Sequence, residues 1–188
     1  MSSQYIEKTL ARFSVETING RTQFVLKPQG SLYPKLFLMV WLAGWSFGGY
    51  SAFEAFSKNF EPFLLIWLCG WALGEIFVTI TLAWLWTGAE IIRATGSDLE
   101  VSYRVLGFTR RKLYRGSDIR ELRSSSGTTY QYPNQLQLPI LVASKSGCLQ
   151  FSYGAQTIYA GAGYDETEGR LIVEALRKYL PVSATARS

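Results

Sequence analysis

The sequence predicts an α+β membrane protein, in which an antiparallel transmembrane helical hairpin is joined to a small antiparallel β barrel or sandwich with a C-terminal helix. Three observations predict it. Two uninterrupted apolar runs, residues 36–56 and 63–86, are separated only by "SKNFEP". Apolar and polar residues then alternate through short segments of the second half, and over residues 165–180 the apolar period lengthens to that of a helix.

Each apolar run reaches the roughly 20 residues that a helix needs to cross a bilayer. Each holds one acidic residue, Glu54 near the end of the first and Glu75 at the centre of the second. Charged residues make up 18% of the chain, below the about 25% usual in soluble domains. No other segment is apolar enough to coat both helices all round, as a soluble fold would require. Residues 1–35 are polar and mixed in charge, so insertion through the first span is expected rather than a cleaved signal peptide. The chain has no histidine, which removes the commonest general base and the commonest metal ligand together. Cys69 and Cys148 make no metal spacing. No catalytic residue, metal or cofactor is expected.

Residues 11–27, "ARFSVETINGRTQFVLK", alternate around Asn19-Gly20, with Phe13, Val15 and Ile18 before the turn and Phe24 and Leu26 after it. Asn-Gly supplies the two positive-φ residues of a type I′ turn, so a β-hairpin is expected within a cytoplasmic segment 1–35. Tyr33-Pro34-Lys35 leads into the first span. The short connection forces the two spans antiparallel, with Pro62 suited to the first turn of the second.

Both spans carry Gly-Trp-x-x-Gly, "GWSFG" at 44–48 and "GWALG" at 70–74, equally far from the loop centre at Asn59. Gly44 with Gly48, and Gly70 with Gly74, each share a helix face and would let the two backbones approach closely. Lysine and arginine flank the outer ends of the pair (Arg21, Lys27 and Lys35 before it, Arg93 and Arg104 after it), against Lys58 alone in the loop. This places both termini in the cytoplasm, with Tyr33, Trp84 and Trp86 as interfacial anchors. The expected address is a bacterial inner membrane, or a thylakoid in a cyanobacterium.

Residues 87–188 form the second unit. "DLEVSYRVLGF" alternates Leu99, Val101, Tyr103 and Val105 with polar residues, as a half-buried strand does. "RKLYRGSDIREL" continues as a second strand, and Ile119 opens a third. "LPILVAS", "CLQFSY" and "TIYA" follow, with turns at Ser146-Gly147 and Gly154-Ala155. The helix 165–180 would present Leu171, Ile172, Ala175, Leu176 and Tyr179 on one face. Asp165 with Glu168 reads as a capping box, Arg177-Lys178 suit the last turn, and Pro181 stops the helix.

The succession "FVLKPQGSLYPKLFLMVWLAGW", "WTGAEIIRATGSDLEVSYRVLGFTRRKLY" and "LQFSYGAQTIYAGAGYDETEGRLIVEAL" resembles a family of uncharacterised bacterial membrane proteins. Those proteins have two membrane helices and a pleckstrin-homology-like β domain. The most specific parts of the likeness are Phe151–Gly154, "F-x-Y-G", and Gly163–Glu168, "G-x-D-E-x-E". More distantly the layout is similar to photosystem I assembly factors of the Ycf type, although "YLPV" here departs from their ending. The resemblance implies a pleckstrin-like domain on a membrane anchor and supplies no catalytic motif.

Two groups of residues stand out as candidate sites. Glu75 at mid-bilayer would cost roughly 2.5–3.5 kcal/mol if charged. It either hydrogen-bonds within the hairpin, with Ser46 at similar depth, or meets a polar or basic group of a partner membrane protein; Gly44, Trp45, Gly48, Gly70, Trp71 and Gly74 belong to the same candidate surface. The second group is Arg110-Arg111-Lys112 with Arg115, read either as a solvated hairpin or as a patch facing anionic headgroups. No interleaved aromatic platform accompanies it, so nucleic acid is not an expected partner. The function expected is a non-catalytic scaffold, accessory or assembly subunit on a larger, photosynthetic or other, membrane protein complex. The alternative is an anionic-lipid-binding module using residues 110–115, and a homodimer through the glycine faces competes with the intramolecular crossing.

Overall fold

A computed structural model describes residues 12–18, 21–28, 31–125 and 147–185. The chain forms two compact units, one of Gly30–Trp86 and one that combines Met1–Gln29 with Thr87–Ser188.

The first unit is a pair of helices, α1 (Leu32–Lys58) and α2 (Pro62–Thr87). Both are long and apolar enough to cross a membrane. They outrun the apolar segments at both ends, because a helix continues until its backbone meets a stop rather than where hydropathy falls. Pro34 therefore lies inside the first turn of α1, where the missing N–H would have had no partner anyway. Pro62 takes the first position of α2, as its fixed φ favours. The Asn59 amide closes α1 by donating to the Ala55 carbonyl at 3.1 Å. Within α1 no residue is fully buried, and within α2 only Thr81, Leu82 and Trp84 are. Of the three expected anchors, Tyr33 and Trp86 are exposed but Trp84 is buried, so Trp84 does not face outward. Lys35 Nζ sits 5.6 Å from the centre of the Trp86 ring, a cation–π contact between the start of one helix and the end of the other.

The second unit holds two antiparallel sheets. The first runs in the order β1 (Ser14–Ile18), β2 (Arg21–Leu26), β3 (Ala89–Thr95), β4 (Asp98–Val105) and β5 (Phe108–Tyr114). The second runs β6 (Ile119–Ser124), β7 (Leu149–Tyr153) and β8 (Gln156–Ala160). The N-terminal hairpin thus completes the first sheet. β2 pairs with β3, Phe24 opposite Ile92, although both long helices lie between them in sequence. The helical pair is an insertion between two neighbouring strands.

β3 follows α2 directly and was not expected. Its burial explains the omission: Ala89, Glu90, Ile91 and Ile92 are all buried, so there is no alternation to detect. In β2, Gln23, Phe24, Val25 and Leu26 are all buried as well, although the sequence assigns only Phe24 and Leu26 to its apolar face. A strand flanked on both sides and covered on both faces loses its period-two signature. Edge strand β1 shows the opposite, with Val15 exposed although it belongs to the apolar set. The expected turn at Gly154-Ala155 is present, with Tyr153 opposite Gln156. Asn19, Gly20, Ser146 and the expected strand at 138–144 lie outside the described residues.

Phe24, Leu26, Ile92, Leu99 and Val101 from the first sheet are buried, as are Ile119, Leu122, Leu149 and Phe151 from the second. The sheets meet where the Tyr114 ring stands edge-on to Phe151, with centroids 5.1 Å apart. Among the described residues no ladder joins β5 to β6 or β1 to β8, so they form two sheets without barrel closure between them.

Helix α3 (Glu166–Leu176) packs on β6 and β7 and begins with the expected capping box, Asp165 accepting from the Glu168 amide and Glu168 from the Asp165 amide. A short helix, α4 (Val182–Thr185), follows it. The buried face of α3 is rotated from the expected one. It consists of Glu168, Gly169, Ile172, Val173 and Leu176, while Leu171 and Ala175 are half-buried and Tyr179 is exposed. The helix ends earlier than 180, with Arg177 as its cap, so Tyr179 falls beyond the last turn. Gly169 decides the rotation. A Cβ there would collide with the Cys148 carbonyl oxygen, a backbone atom. Glycine is the residue that lets this helix lie directly on β7.

Gly169→Ala is accordingly expected to destabilise the domain by about 2–3 kcal/mol, the range for overpacking against atoms that cannot move aside. Hydrogen exchange of the β7 amides in the full chain should accelerate. Gly70→Ala, at a position with nothing within 4 Å of the added methyl, should leave the same amides unchanged.

Candidate functional site

The helical pair is held by indoles. Trp41 and Trp45 lie one turn apart on α1, Trp67 and Trp71 one turn apart on α2. Trp45 stacks on Trp71 at 3.9 Å between ring centroids and 21° between planes. Trp41 continues the stack beside Trp45 at 4.6 Å, and Trp67 beside Trp71 at 4.5 Å. The result is a four-ring ladder across the pair. The repeated Trp-x-x-x-Trp in each span was the sequence signal for it. The Gly-Trp-x-x-Gly repeat contains only Trp45 and Trp71, and Trp41 and Trp67 lie outside it.

The glycines act differently from the expected seam. Nothing lies within 4 Å of a Cβ built on Gly44 or Gly70, so neither marks a close crossing of backbones. A Cβ on Gly48 would be 3.3 Å from Trp71, and one on Gly49 would be 2.7 Å from Trp71 Nε1. Gly74 faces the Trp45 ring in the same way, at 3.6 Å. The small residues therefore make notches for the partner helix's indoles and do not bring main chain to main chain. Gly49 is the tightest notch and falls outside the Gly-x-x-x-Gly spacing. Trp45 Nε1 and Trp71 Nε1 are buried without a hydrogen-bond acceptor among the described residues.

Glu75 is half-buried, and the Ser46 hydroxyl donates to its Oε1. This is the internal partner that matching depth suggested. The other carboxylate oxygen has no hydrogen-bond partner among the described residues. A single hydroxyl donor leaves most of the acceptor capacity of a carboxyl unused.

The basic group does not form one patch. Arg110, Arg111 and Lys112 lie within β5, where successive side chains point to opposite faces. Arg110 pairs in register with Tyr103, and Lys112 with Val101, whose side chains are buried. Arg111 belongs to the other face, 4.0 Å from Glu100, a carboxylate that Arg93 grips with contacts of 2.8–3.0 Å. Burial pushes the Glu100 carboxyl up, but Arg93 and the Ser102 hydroxyl outweigh it and hold it below its ordinary value. Arg115 lies past the strand, at the start of a 3-10 turn. A consecutive run of basic residues divides in this way whenever it falls on a strand rather than in a turn.

Two buried acids organise the β domain, and neither was expected to. Glu168, buried at the start of α3, receives the Arg12 backbone amide at 2.8 Å, Arg12 Nε at 3.1 Å and an Arg12 terminal nitrogen at 2.6 Å. The Arg12 guanidinium also lies 5.5 Å from the centre of the Tyr164 ring, and the Tyr164 hydroxyl exchanges hydrogen bonds with the Lys27 amide and carbonyl. These contacts clamp the residues flanking β1 and β2 to the start of α3. Burial raises the Glu168 carboxyl, and the several bonds from Arg12 more than reverse it, leaving its pKa below the ordinary 4.5. Glu90, on β3 opposite Tyr103, is the reverse case. Its burial outweighs the Gly161 and Ala162 amides and the Tyr103 hydroxyl, raising its pKa to about 7, and its Oε1 has no hydrogen-bond partner among the described residues.

Among the described residues no group of three or more Cys, Asp or Glu side chains is placed to hold a metal ion. Compared with protein-family models and with curated proteins, the chain finds no match.

Proposed function

We propose that the protein is a non-catalytic, two-span membrane subunit with both termini cytoplasmic, whose helical pair docks against a larger membrane protein complex while its β domain serves as the scaffold outside the bilayer. The observation that carries this reading is Glu75, an acid in the middle of an apolar helix with one oxygen bonded to Ser46 and the other unpartnered among the described residues. In a bilayer core no water is present to complete such a group, so a donor from another membrane segment is the partner it calls for. The tryptophan ladder supports the reading by making the pair a preformed surface. The orientation rests on the excess of lysine and arginine at the outer ends of the pair. Two facing sheets with a C-terminal helix are consistent with a pleckstrin-homology-like domain. The likeness of layout to photosystem I assembly factors makes a photosynthetic complex the first partner to look for.

The test is a mild-detergent pull-down of the tagged protein from its native membranes. A defined membrane protein should co-purify with wild type and with Glu75→Gln, which keeps a hydrogen-bonding group, and be lost with Glu75→Leu. A protein that emerges alone in all three forms would sink the docking reading.

A further inference from the structure

The turn between β4 and β5 carries two large apolar side chains into the open. Val105 pairs with Phe108, leaving Leu106-Gly107 as a two-residue hairpin loop. Both loop residues have positive φ, 48° at Leu106 and 85° at Gly107. That conformation favours asparagine, aspartate or glycine, and a leucine gains nothing from it locally. Nor does this leucine serve the core, being 63% exposed, with Phe108 beside it at 78%. Polar residues would satisfy the turn better on every local count, so the apolar pair needs an explanation outside the domain.

Its position supplies one. The Leu106 amide donates to Thr87 Oγ1 at 3.1 Å. Thr87 directly follows Trp86, the last residue of the second apolar run. The hairpin tip is thereby tied to the point where the chain leaves that run. Basic residues stand just behind the tip, with Arg104 and Arg110 two residues away from Leu106 and Phe108 respectively. Apolar residues foremost, cations behind them and a tether at the end of a span make up the pattern of a segment that enters the boundary between acyl chains and headgroups.

We propose that Leu106 and Phe108 form a wedge that inserts into the headgroup–acyl boundary of the anionic bilayer crossed by the helical pair, with Arg104 and Arg110 at phosphate level. This rests on the two-span reading. It also assigns the lipid contact to the hairpin tip instead of to the basic run as a whole.

The experiment uses the full chain in vesicles of phosphatidylcholine with phosphatidylglycerol. An environment-sensitive fluorophore is attached through Phe108→Cys in a Cys69→Ser background, and a second preparation carries it through Ala155→Cys in the exposed β7–β8 turn. All six tryptophans lie within the two helices, so nitroxide-labelled lipids read the spans and the tip in one sample. The expected result is quenching of tryptophan by a deep nitroxide, with blue-shifted emission and quenching by a shallow nitroxide for the label at 108 but not at 155. Leu106→Asn should weaken the shallow quenching at 108 while leaving the tryptophan signal unchanged. Tryptophan quenched but the 108 label quenched no more than the 155 label overturns the wedge and leaves the two-span reading standing. A blue-shifted 108 label that no lipid nitroxide quenches means that protein covers the tip, a second copy included, and also overturns it. Tryptophans that escape quenching overturn both.

Discussion

Replacing Glu168 with alanine is expected to cost the β domain about 3 kcal/mol, in the range for removing one partner of a buried ion pair. The change deletes three contacts from Arg12 and the bond to the Asp165 amide that completes the capping box. It also strands Arg12, whose remaining acidic neighbour, Asp165, is 3.5 Å away. Arg12→Ala should cost less, about 1–2 kcal/mol, because the arginine is itself 45% exposed and water can replace part of what it gave. The double variant should fall short of the sum, since both changes break the same contacts. The pH dependence has a fixed sign. With its folded pKa below 4.5, Glu168 contributes stability that is complete above that ordinary value and is lost as pH falls through the folded one. The six tryptophans all lie in the helical pair and are poorly placed to report on the β domain. Hydrogen exchange of β2 and β7 amides, in the full chain in detergent, is the suitable measurement.

The same amides should become more protected above neutral pH when Glu90 is replaced by glutamine. The folded pKa of Glu90 is raised to about 7 from an ordinary 4.5. The domain therefore binds this proton more tightly than the unfolded chain does. No penalty exists below about pH 4.5, it grows between the two values, and above both it reaches about 3 kcal/mol. Glutamine keeps the shape and the acceptor toward the Gly161 and Ala162 amides without the charge. Glu90→Gln should thus match wild type near pH 4 and exceed it at pH 8, by up to about 3 kcal/mol. Wild type should be most stable between the two titrations, weakened on the acid side through Glu168 and on the alkaline side through Glu90. A wild-type domain whose exchange is flat from pH 5 to 8, after correction for the intrinsic rate, would contradict this account of Glu90.

The sequence by itself determined the elements whose information is local. Apolar length gave α1 and α2, and a six-residue connection made them antiparallel. Period-two alternation found β4 because its two faces differ in composition, Leu99, Val101, Tyr103 and Val105 against Glu100 and Ser102, although the structure buries both faces and not only the expected one. The capping box was legible because its four positions are consecutive. The pairing of Ser46 with Glu75 could be read as one of two alternatives because a short loop between antiparallel helices sets which of their positions share a depth.

Only the tertiary structure decided what depends on neighbours distant in sequence. β3 was hidden because strands on both sides and cover on both faces erase the alternation that marks a strand. The glycine seam became a set of indole notches because helix rotation, which no spacing rule sets, turned Gly48, Gly49 and Gly74 toward tryptophan and left Gly44 and Gly70 open. Arg110, Arg111 and Lys112 read as one cluster until a strand sent them to opposite faces. Glu168 was legible as a capping-box residue, but its burial under Arg12, from the other end of the chain, was not. Chain order carries composition and local period, whereas burial and charge pairing are set by which segments fold against one another.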